Sequence, residues 1–416
     1  MDYKKISLNK ATLHIFKTKK FKKISIDILL SDKVDETNLS YRTLLSRVME
    51  SKSKKYQTKR DINRKLDMLY GANFGISSSK IGLTTYIDAS IDGVNPRYVL
   101  DDKLLSDMLE FLYDMIFYPS FDNKNVNEEK RLLLDDYKLE YENKASLAAI
   151  SSNKIAFSNE LARFKANGEE EIVKKITNKE LEEYYNYVIN NSKVDIIICG
   201  DVDDSLIDLV KKYFDFGINK KIDIIDYEEK TLKEVIYKKD KTKSNQSQLV
   251  IKYRCYTRIK DSDYLAMLLF ERIFGGFSSS LLFTNVREKN SLCYSISSVY
   301  ATFKGVMTVC AGINKKDYDN AVKLIFEQLE DIQNGRFSNE LVEMGKLSII
   351  SSIKRGGDSL PSIAKKIYTS EMLNKEFKLD EYIDQINKLT KEDIINASKK
   401  LKLDVVYLLE GSDIND

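Results

Sequence analysis

The spacing of hydrophobic residues predicts a helix that ends at a glycine pair in the second half of the chain. Its apolar positions recur as they do on one face of an α-helix. They are Leu265, Leu268, Leu269 and Ile273. Gly275 and Gly276 follow, and glycine provides the backbone freedom with which helices commonly end. We therefore expect this helix to stop at the glycine pair.

A second helix and then a strand are predicted immediately afterwards. Residues 278–280 are serines, which are good N-cap residues, and apolar residues at helical spacing continue to Val286. Arg287 lies in the last turn of this helix. Polar and apolar residues then alternate, which predicts a strand whose one face carries Leu292, Tyr294, Ile296, Ser298 and Tyr300. Because only a short turn separates helix and strand, we expect Arg287 and Tyr294 to lie close together.

The chain also contains an internal duplication. The segment KITNKELEEYYNYVINNSKVDIIICGD matches KLTKEDIINASKKLKLDVVYLLEGSD, with Gly200 against Gly411. In each half a strand–turn–strand run, with Gly82 in the first and Gly305 in the second, precedes an amphipathic helix. The long meanders of strands and helices lack a G-x-G-x-x-G or Walker loop, so they favour an α+β fold of two duplicated two-layer sandwiches.

Two domains of similar size follow from this duplication. The length of 416 residues exceeds what one ordinary core holds. Residues 219–230 are charged and weakly periodic, which is typical of a linker. We predict an N-terminal domain at 1–218, a linker at 219–230 and a C-terminal domain at 231–416.

Composition narrows the function classes. The 67 basic and 64 acidic side chains give a net charge of +3, which argues against a general role on nucleic acid or at a membrane surface. The sequence lacks an apolar run long enough for a transmembrane helix, and MDYKKISLNK lacks the apolar region of a signal peptide. We therefore expect a cytoplasmic protein.

Few residues are available as metal ligands or nucleophiles. The only histidine, His14, lies in a predicted strand, where a lone histidine usually packs or faces solvent. The four cysteines are far apart in strand-like runs, so we expect reduced thiols rather than disulfides or a metal cluster. They are Cys199, Cys255, Cys293 and Cys310.

The stretch GGFSSSLLFTNVREKNSLCYS resembles the second-half signature of the pitrilysin/insulinase-type zinc metallopeptidases. In that family the matching arginine and tyrosine bind substrate, so the resemblance implies substrate-binding roles for Arg287 and Tyr294. It also implies a bowl of two duplicated α+β domains, which forms one half of a clamshell chamber when two bowls face each other. The resemblance covers nearly the whole chain and is strongest between residues 246 and 314.

The zinc motif of that family is missing. An inverted HxxEH helix binds zinc through two histidines and activates water with the glutamate. Thr43, Ser46 and Arg47 stand at the corresponding positions. Asp135 and Asp136 stand near the third ligand, and without imidazole partners we interpret them as a solvated helix face. Phe74 and Gly75 also stand where active members have an Asn-Ala step. We expect neither a metal site nor a cofactor in this chain.

The resemblance therefore implies a non-catalytic, substrate-binding subunit of a heterodimeric bacterial peptidase. Its partner would be an HxxEH-bearing subunit that holds the zinc, and its ligand a peptide. The alternative is a purely structural homologue, like the core subunits that resemble this family in respiratory complexes. A third hypothesis, an independent hydrolase that uses His14 with a cysteine or serine, has no supporting motif around His14. The sequence leaves the substrate, the partner and a homodimer of the isolated chain open.

Overall fold

The structure is a computed structural model that describes residues 2–220, 222, 231, 232, 234–378 and 381–412. Most of the predicted linker, namely 221 and 223–230, lies outside these residues. The described chain contains two β-sheets, each accompanied by helices. No described helix is both long enough and apolar enough to span a bilayer.

The strands are short to medium in length and fall into two groups along the chain. They are β1 Asp2–Ser7, β2 Ala11–Lys17, β3 Lys23–Lys33, β4 Asn73–Ile81, β5 Thr84–Val94, β6 Lys193–Gly200, β7 Ile236–Lys243, β8 Ser247–Arg254, β9 Cys293–Ala301, β10 Val306–Ile313 and β11 Lys402–Ser412.

The α-helices connect these strands. They are α1 Asn38–Ser51, α2 Lys59–Met68, α3 Leu104–Phe117, α4 Asn123–Glu142, α5 Lys144–Ala156, α6 Glu170–Val173, α7 Asn178–Asn191, α8 Leu206–Phe214, α9 Tyr264–Glu271, α10 Tyr318–Gln333, α11 Asn339–Gly356, α12 Leu360–Met372, α13 Glu381–Lys388 and α14 Lys391–Ser398. Short 3₁₀ segments lie at Pro96–Tyr98, Leu161–Arg163 and Lys315–Asp317, and π-helical segments at Arg272–Gly276 and Leu282–Lys289.

The two sheets repeat one topology. The first has the order β1-β2-β6-β3-β5-β4 and the second the order β7-β11-β8-β10-β9. In each half the last strand inserts between the first two main strands, parallel to one and antiparallel to the other. Among the described strands, β1 is the one without a counterpart in the other sheet. This repetition confirms the predicted α+β class with two duplicated sandwiches.

The duplication extends to the helix starts that precede the inserted strands. Thr177 begins α7 with a capping box, in which its hydroxyl accepts from the Glu180 amide at 3.2 Å and the Glu180 carboxylate accepts from the Thr177 amide at 2.8 Å. Thr390 and Asp393 form the same box at α14 with the same two distances. The matched sequence segments therefore fold in the same way at the level of single hydrogen bonds.

Two compact units make up the chain. The first comprises residues 1–138, 164–226 and 357–377, and the second comprises 139–163, 227–356 and 378–416. Accordingly α12 lies on the first sheet, where the Tyr368 hydroxyl is 2.6 Å from that of Ser31. Likewise α5 lies on the second sheet, where Arg254 donates to the Ala156 carbonyl at 2.7 Å. The division at 219–230 stays a prediction of the boundary in chain order, and each unit also takes one helix from the other half of the sequence.

Candidate functional site

The segment around Arg287 is a π-helix rather than the α-helix that the sequence predicts. Helix α9 continues into the π-helical segment Arg272–Gly276, and after a short break the chain winds into the longer one, Leu282–Lys289. Buried Leu282 and Val286 anchor this second segment in the core of the unit. Such wide turns are rare and frequently occur at functional sites.

A close backbone contact fixes the first π-helical segment against strand β9. A Cβ atom on Gly275 would lie 2.6 Å from the amide nitrogen of Ser298, a distance that side chains do not tolerate. The Ser298 hydroxyl in turn donates to the carbonyl of Glu271 at 3.1 Å. The glycine of the motif is therefore required by packing, and it holds the helical segment beside the strand that carries Tyr294.

Tyr294 occupies a β-bulge at the start of β9. Cys293 pairs with Ile313 and Ser295 pairs with Gly312, so Tyr294 is the extra residue of its strand. Its side chain is 62% exposed, whereas the neighbouring Cys293 is buried. The predicted alternation was wrong at this point, because it grouped Tyr294 with three residues that the structure buries. Those are Ile296, Ser298 and Tyr300.

The side chains of Arg287 and Tyr294 are both exposed and each is held by one neighbour. The Arg287 guanidinium lies over the ring of Phe283, 4.6 Å from its centroid, and forms no ion pair within the described part of the chain. The Tyr294 hydroxyl donates to Oδ1 of Asn314 at 3.1 Å. These contacts orient the two groups and leave the donors of the guanidinium available.

A tight turn links the two residues. The amide of Ser291, which has a φ of 53°, donates to the carbonyl of Arg287 at 3.0 Å, and the amide of Leu292 donates to that of Val286 at 3.2 Å. Burial raises the pKa of Cys293 to about 11, and the positive charge of Arg287 opposes this rise. The hydrogen bonds of Ser291 and Leu292 hold the end of the π-helical segment, which carries Arg287, against the start of the strand that carries Tyr294.

In the first unit, the positions of the missing zinc motif lie on helix α1, where hydrogen bonds within the protein satisfy them. The buried Thr43 hydroxyl donates to the Leu39 carbonyl at 2.9 Å and lies 2.9 Å from the Ser78 hydroxyl. The buried Ser46 hydroxyl donates to the Thr43 carbonyl at 3.0 Å. These groups face their own helix and one neighbouring strand, so they do not form a set of ligands.

Arg47 forms an ion pair with Asp136 of helix α4. The fold thus brings together the position of the second histidine and a position near the third ligand, and it joins them by a guanidinium and a carboxylate. An arginine has no lone pair to offer a metal. Asp135 instead pairs with Lys138 and Arg131, which lower its pKa. The residues at these positions do not fit a zinc ion.

His14 is fully buried in the first unit. Its Nδ1 lies 2.9 Å from the Tyr3 hydroxyl, and its Nε2 lies 3.4 Å from a carboxylate oxygen of Asp195. Both ring nitrogens therefore have partners, and neither partner is a cysteine or serine nucleophile. This arrangement gives the hypothesis of an independent His14 hydrolase no support.

His14, Asp195 and Glu371 are close enough to resemble a metal site, with one ligand atom of each within 4.8 Å of the others. Two ammonium groups already compensate the carboxylates. Lys193 donates to both oxygens of Asp195 at 2.7 Å, and Lys5 donates to Glu371 at 2.6 Å. Although burial raises the pKa of Asp195, the contacts with His14 and Lys193 lower it overall. The cluster is an internal network of hydrogen bonds and ion pairs.

Comparisons with known proteins show which family this chain resembles. Residues 175–349 match the family model described as "Peptidase M16 inactive domain". The chain is 31% identical over 413 residues to the Bacillus subtilis protein named "Probable inactive metalloprotease YmfF", covering 97% of this chain and 96% of that protein.

Two solved structures share the whole fold. A conserved protein from Enterococcus faecalis has a TM-score of 0.94 at 29% identity, with full coverage of both chains. A peptidase M16 inactive domain from Pseudomonas fluorescens has a TM-score of 0.82 at 16% identity, with 99% of each chain covered.

Proposed function

The chain belongs to the M16 metallopeptidase family as an inactive member, and from that premise we propose that it is the non-catalytic, substrate-binding subunit of a heterodimeric zinc metallopeptidase. Its partner is an HxxEH-bearing subunit, and the two chains process peptides together in the bacterial cytoplasm. The observation that carries the proposal is the exposed, ion-pair-free Arg287 in the described structure, beside a tyrosine that a bulge turns outward.

The first unit supports a division of labour between two chains. Thr43, Ser46 and Arg47 supply neither imidazole nor a general base, so the zinc belongs to the partner and this chain is expected to hold no zinc. Retention of the second-half motif without the zinc motif is the pattern expected of a subunit that binds a substrate and leaves the chemistry to its partner.

Arg287 and Tyr294 have the chemistry to bind a peptide backbone. A guanidinium offers five donors in a planar fork, and a phenol hydroxyl both donates and accepts. The Phe283 ring and the Asn314 amide restrict the two side chains before a ligand arrives, which reduces the entropy that binding costs. We propose that they donate to carbonyl oxygens of an extended peptide.

A purely structural homologue is the alternative function. Such a protein would assemble with a partner and would need neither an unpaired exposed arginine nor an outward tyrosine. Both functions are compatible with the family membership. They differ in whether peptide cleavage by the assembled complex requires this chain.

Reconstitution with an HxxEH-bearing subunit from the same genome tests the proposal. We expect neither chain alone to cleave a library of unstructured peptides, and the mixture to cleave with one zinc per heterodimer. One tightly held zinc in this chain alone, with chelator-sensitive cleavage that copurifies with it, would contradict the proposal. Full activity of the partner alone, unchanged when this chain is added, would establish the structural alternative.

A further inference from the structure

A polar cavity of about 290 Å³ lies in the first unit between the sheet and helix α12. Strands β3, β4 and β5 form one side of it and α12 forms the other. Most of its lining side chains carry oxygen, and it contains no histidine or cysteine. They are Ser25, Asp27, Leu29, Ser77, Ser79, Tyr86, Asp88, Ser90, Asp92, Pro361, Ala364, Lys365 and Tyr368.

Two carboxylates come together in this cavity through the strand register. Asp27 on β3 pairs with Ser90 on β5, and Asp88 lies two residues before Ser90. Asp88 is also opposite Ser77 on β4. Because side chains two residues apart in a strand share a face, Asp27 and Asp88 are diagonal neighbours on the face that α12 covers.

Neither carboxylate has a compensating cation. Asp27 is 6% exposed and accepts a hydrogen bond from the Ser25 hydroxyl at 2.7 Å. Oδ1 of Asp88 is buried and has no hydrogen-bond partner. No lysine or arginine among the described residues pairs with either group, whereas the nearby Asp92 pairs with Lys23 at 3.0 Å. Burial raises the pKa of both Asp27 and Asp88, and the two groups repel each other when charged.

The cluster of His14, Asp195 and Glu371 differs from this pair in its compensating charges. In that cluster His14 and Asp195 are buried and Glu371 is partly buried, and lysine ammonium groups donate to both carboxylates. Lys365 lines the same cavity as Asp27 and Asp88, but no lysine or arginine of the described chain forms an ion pair with either carboxylate. A buried carboxylate with an unpartnered oxygen is costly unless a proton or a cation compensates it.

We propose that this cavity binds one alkaline-earth cation, Mg²⁺ or Ca²⁺, through the carboxylates of Asp27 and Asp88. Carboxylate, hydroxyl and water oxygens are the ligands that these hard cations prefer, and two carboxylates balance a divalent charge. The cavity has room for the ion and several of its waters, at about 30 Å³ for each water. The bound ion links β3 to β5 beneath α12. This site is independent of the peptide-binding proposal.

Cation titration of the full chain tests the site. The protein is first treated with chelator, and then MgCl₂ or CaCl₂ is added at constant ionic strength while calorimetry and thermal unfolding are followed. We expect one site per chain and a rise in Tm of several degrees, with NaCl at matched ionic strength giving none. Absence of binding and of a Tm shift with both cations up to 10 mM, about tenfold above the weak end of protein calcium sites, would overturn the proposal.

Single substitutions locate the cation. Asp88→Asn and Asp27→Asn keep the shape of the side chains, and each should weaken affinity at least tenfold, while Asp135→Asn on the exposed face of α4 should leave it unchanged. Undiminished binding in both cavity variants would place the cation elsewhere and reject this site. If wild type binds neither cation and Asp88→Asn raises Tm without any added cation, the two carboxyls share a proton instead and the proposal fails.

Discussion

Helix α1 of the first unit and the π-helical segment Leu282–Lys289 of the second differ in whether their polar side chains have partners within the protein. In α1, every side chain at a zinc-motif position has a partner within the protein: Thr43 and Ser46 bond to their own helix, and Arg47 pairs with Asp136. In the second segment the Arg287 guanidinium lies over the Phe283 ring and forms no ion pair with the described residues. The polar groups of the first region are therefore satisfied within the protein, whereas those of the second region are exposed to solvent.

The backbone shows the same contrast. Helix α1 is regular and its Ser46 and Ser51 hydroxyls bond back to carbonyls of the same helix. The second region contains a π-helix, a bulge and a glycine in close backbone contact. Irregular features of this kind cost stability, so proteins keep them mainly where they aim a side chain. This contrast supports the proposal that peptide binds at the second unit.

The largest expected effect comes from removing both exposed groups. In the reconstituted peptidase, Arg287→Ala combined with Tyr294→Phe should lower kcat/KM by roughly 10²–10³-fold. This estimate takes about 1.5–3 kcal/mol for a charged and about 1 kcal/mol for a neutral hydrogen bond. Arg287→Lys should recover little of the loss, because a lysine lacks the planar fork. Steady-state cleavage of one fluorogenic peptide by each reconstituted variant is the measurement.

The second unit offers matched controls for that pair. Tyr237 on β7 is also 62% exposed, and Arg336 has a 54% exposed side chain. Tyr237→Phe and Arg336→Ala should leave cleavage within twofold of wild type. If the double variant at Arg287 and Tyr294 behaves like these controls while the complex assembles normally, the pair is structural and the scaffold function takes precedence.

Substitution of one glycine in each unit by alanine should affect the free energy of unfolding differently. A methyl group on Gly275 meets the Ser298 backbone at 2.6 Å, whereas on Gly75 of β4 the nearest atom, Oε1 of Glu50, is 3.6 Å away. Gly275→Ala should therefore lower the free energy of unfolding by roughly 1–3 kcal/mol, the usual cost of overpacking. Gly75→Ala should leave it unchanged or raise it slightly. Urea denaturation measures both, and equal effects would show that the contact at Gly275 relaxes freely.

We expect the stability of the protein to depend on pH through Glu271, which lies close to the glycine pair in sequence. Burial raises the pKa of Glu271 from 4.5 to about 7, and Arg272 opposes this rise only partly. The folded state therefore holds this proton more tightly than the unfolded state. Its contribution to stability is complete below pH 4.5 and decreases as the pH rises towards 7.

The substitution Glu271→Gln should remove this pH dependence, which we expect to change the free energy of unfolding by roughly 1–3 kcal/mol between pH 5 and 8. The measurement is the free energy of unfolding of wild type and variant between pH 5 and 8, with exposed Glu288→Gln as the control. Parallel curves for wild type and Glu271→Gln would show that Glu271 does not titrate in this range. Residual slope common to all three proteins would come from other groups.

Much of this architecture could be predicted from the sequence because it depends on local patterns. The repeated segments that contain Gly200 and Gly411 predicted the duplication, and hydrophobic spacing predicted most helices and strands. The motif itself predicted which arginine and tyrosine to examine. These signals act over short stretches of chain, where periodicity and capping decide the structure.

The features that periodicity missed depend on contacts between distant segments. The bulge at Tyr294 arises from the register between β9 and β10, so strict alternation gave this residue the wrong face. The order of elements along the chain also does not predict that α5 belongs to the second compact unit and α12 to the first. The pairing of Arg47 with Asp136 and the approach of Asp27 to Asp88 also arise only when helices and strands assemble.

The smallest expected effect lies at helix α1. Arg47 and Asp136 form an ion pair whose side chains are 29% and 54% exposed, so water screens much of their attraction. Removing such a pair costs about 0.2–1 kcal/mol of stability. We expect Arg47→Ala to show a loss within that range and unaltered cleavage by the reconstituted complex.

The comparison of the two regions requires the effect of Arg47→Ala on cleavage as well as that of Arg287→Ala. Arg47 stands at a position of the lost zinc motif and Arg287 within the retained second-half motif. Both lie on helical segments, and they differ in whether a carboxylate of the described chain pairs with them. If cleavage responds to Arg287→Ala and ignores Arg47→Ala, the unpaired charge is the feature that binds peptide. A tenfold loss of cleavage on Arg47→Ala, with Arg131→Ala on the exposed face of α4 inert, would instead show that α1 still contributes to substrate binding. The remnant of the zinc helix would then be a second peptide contact, and the ion pair with Asp136 would be one that a substrate can displace.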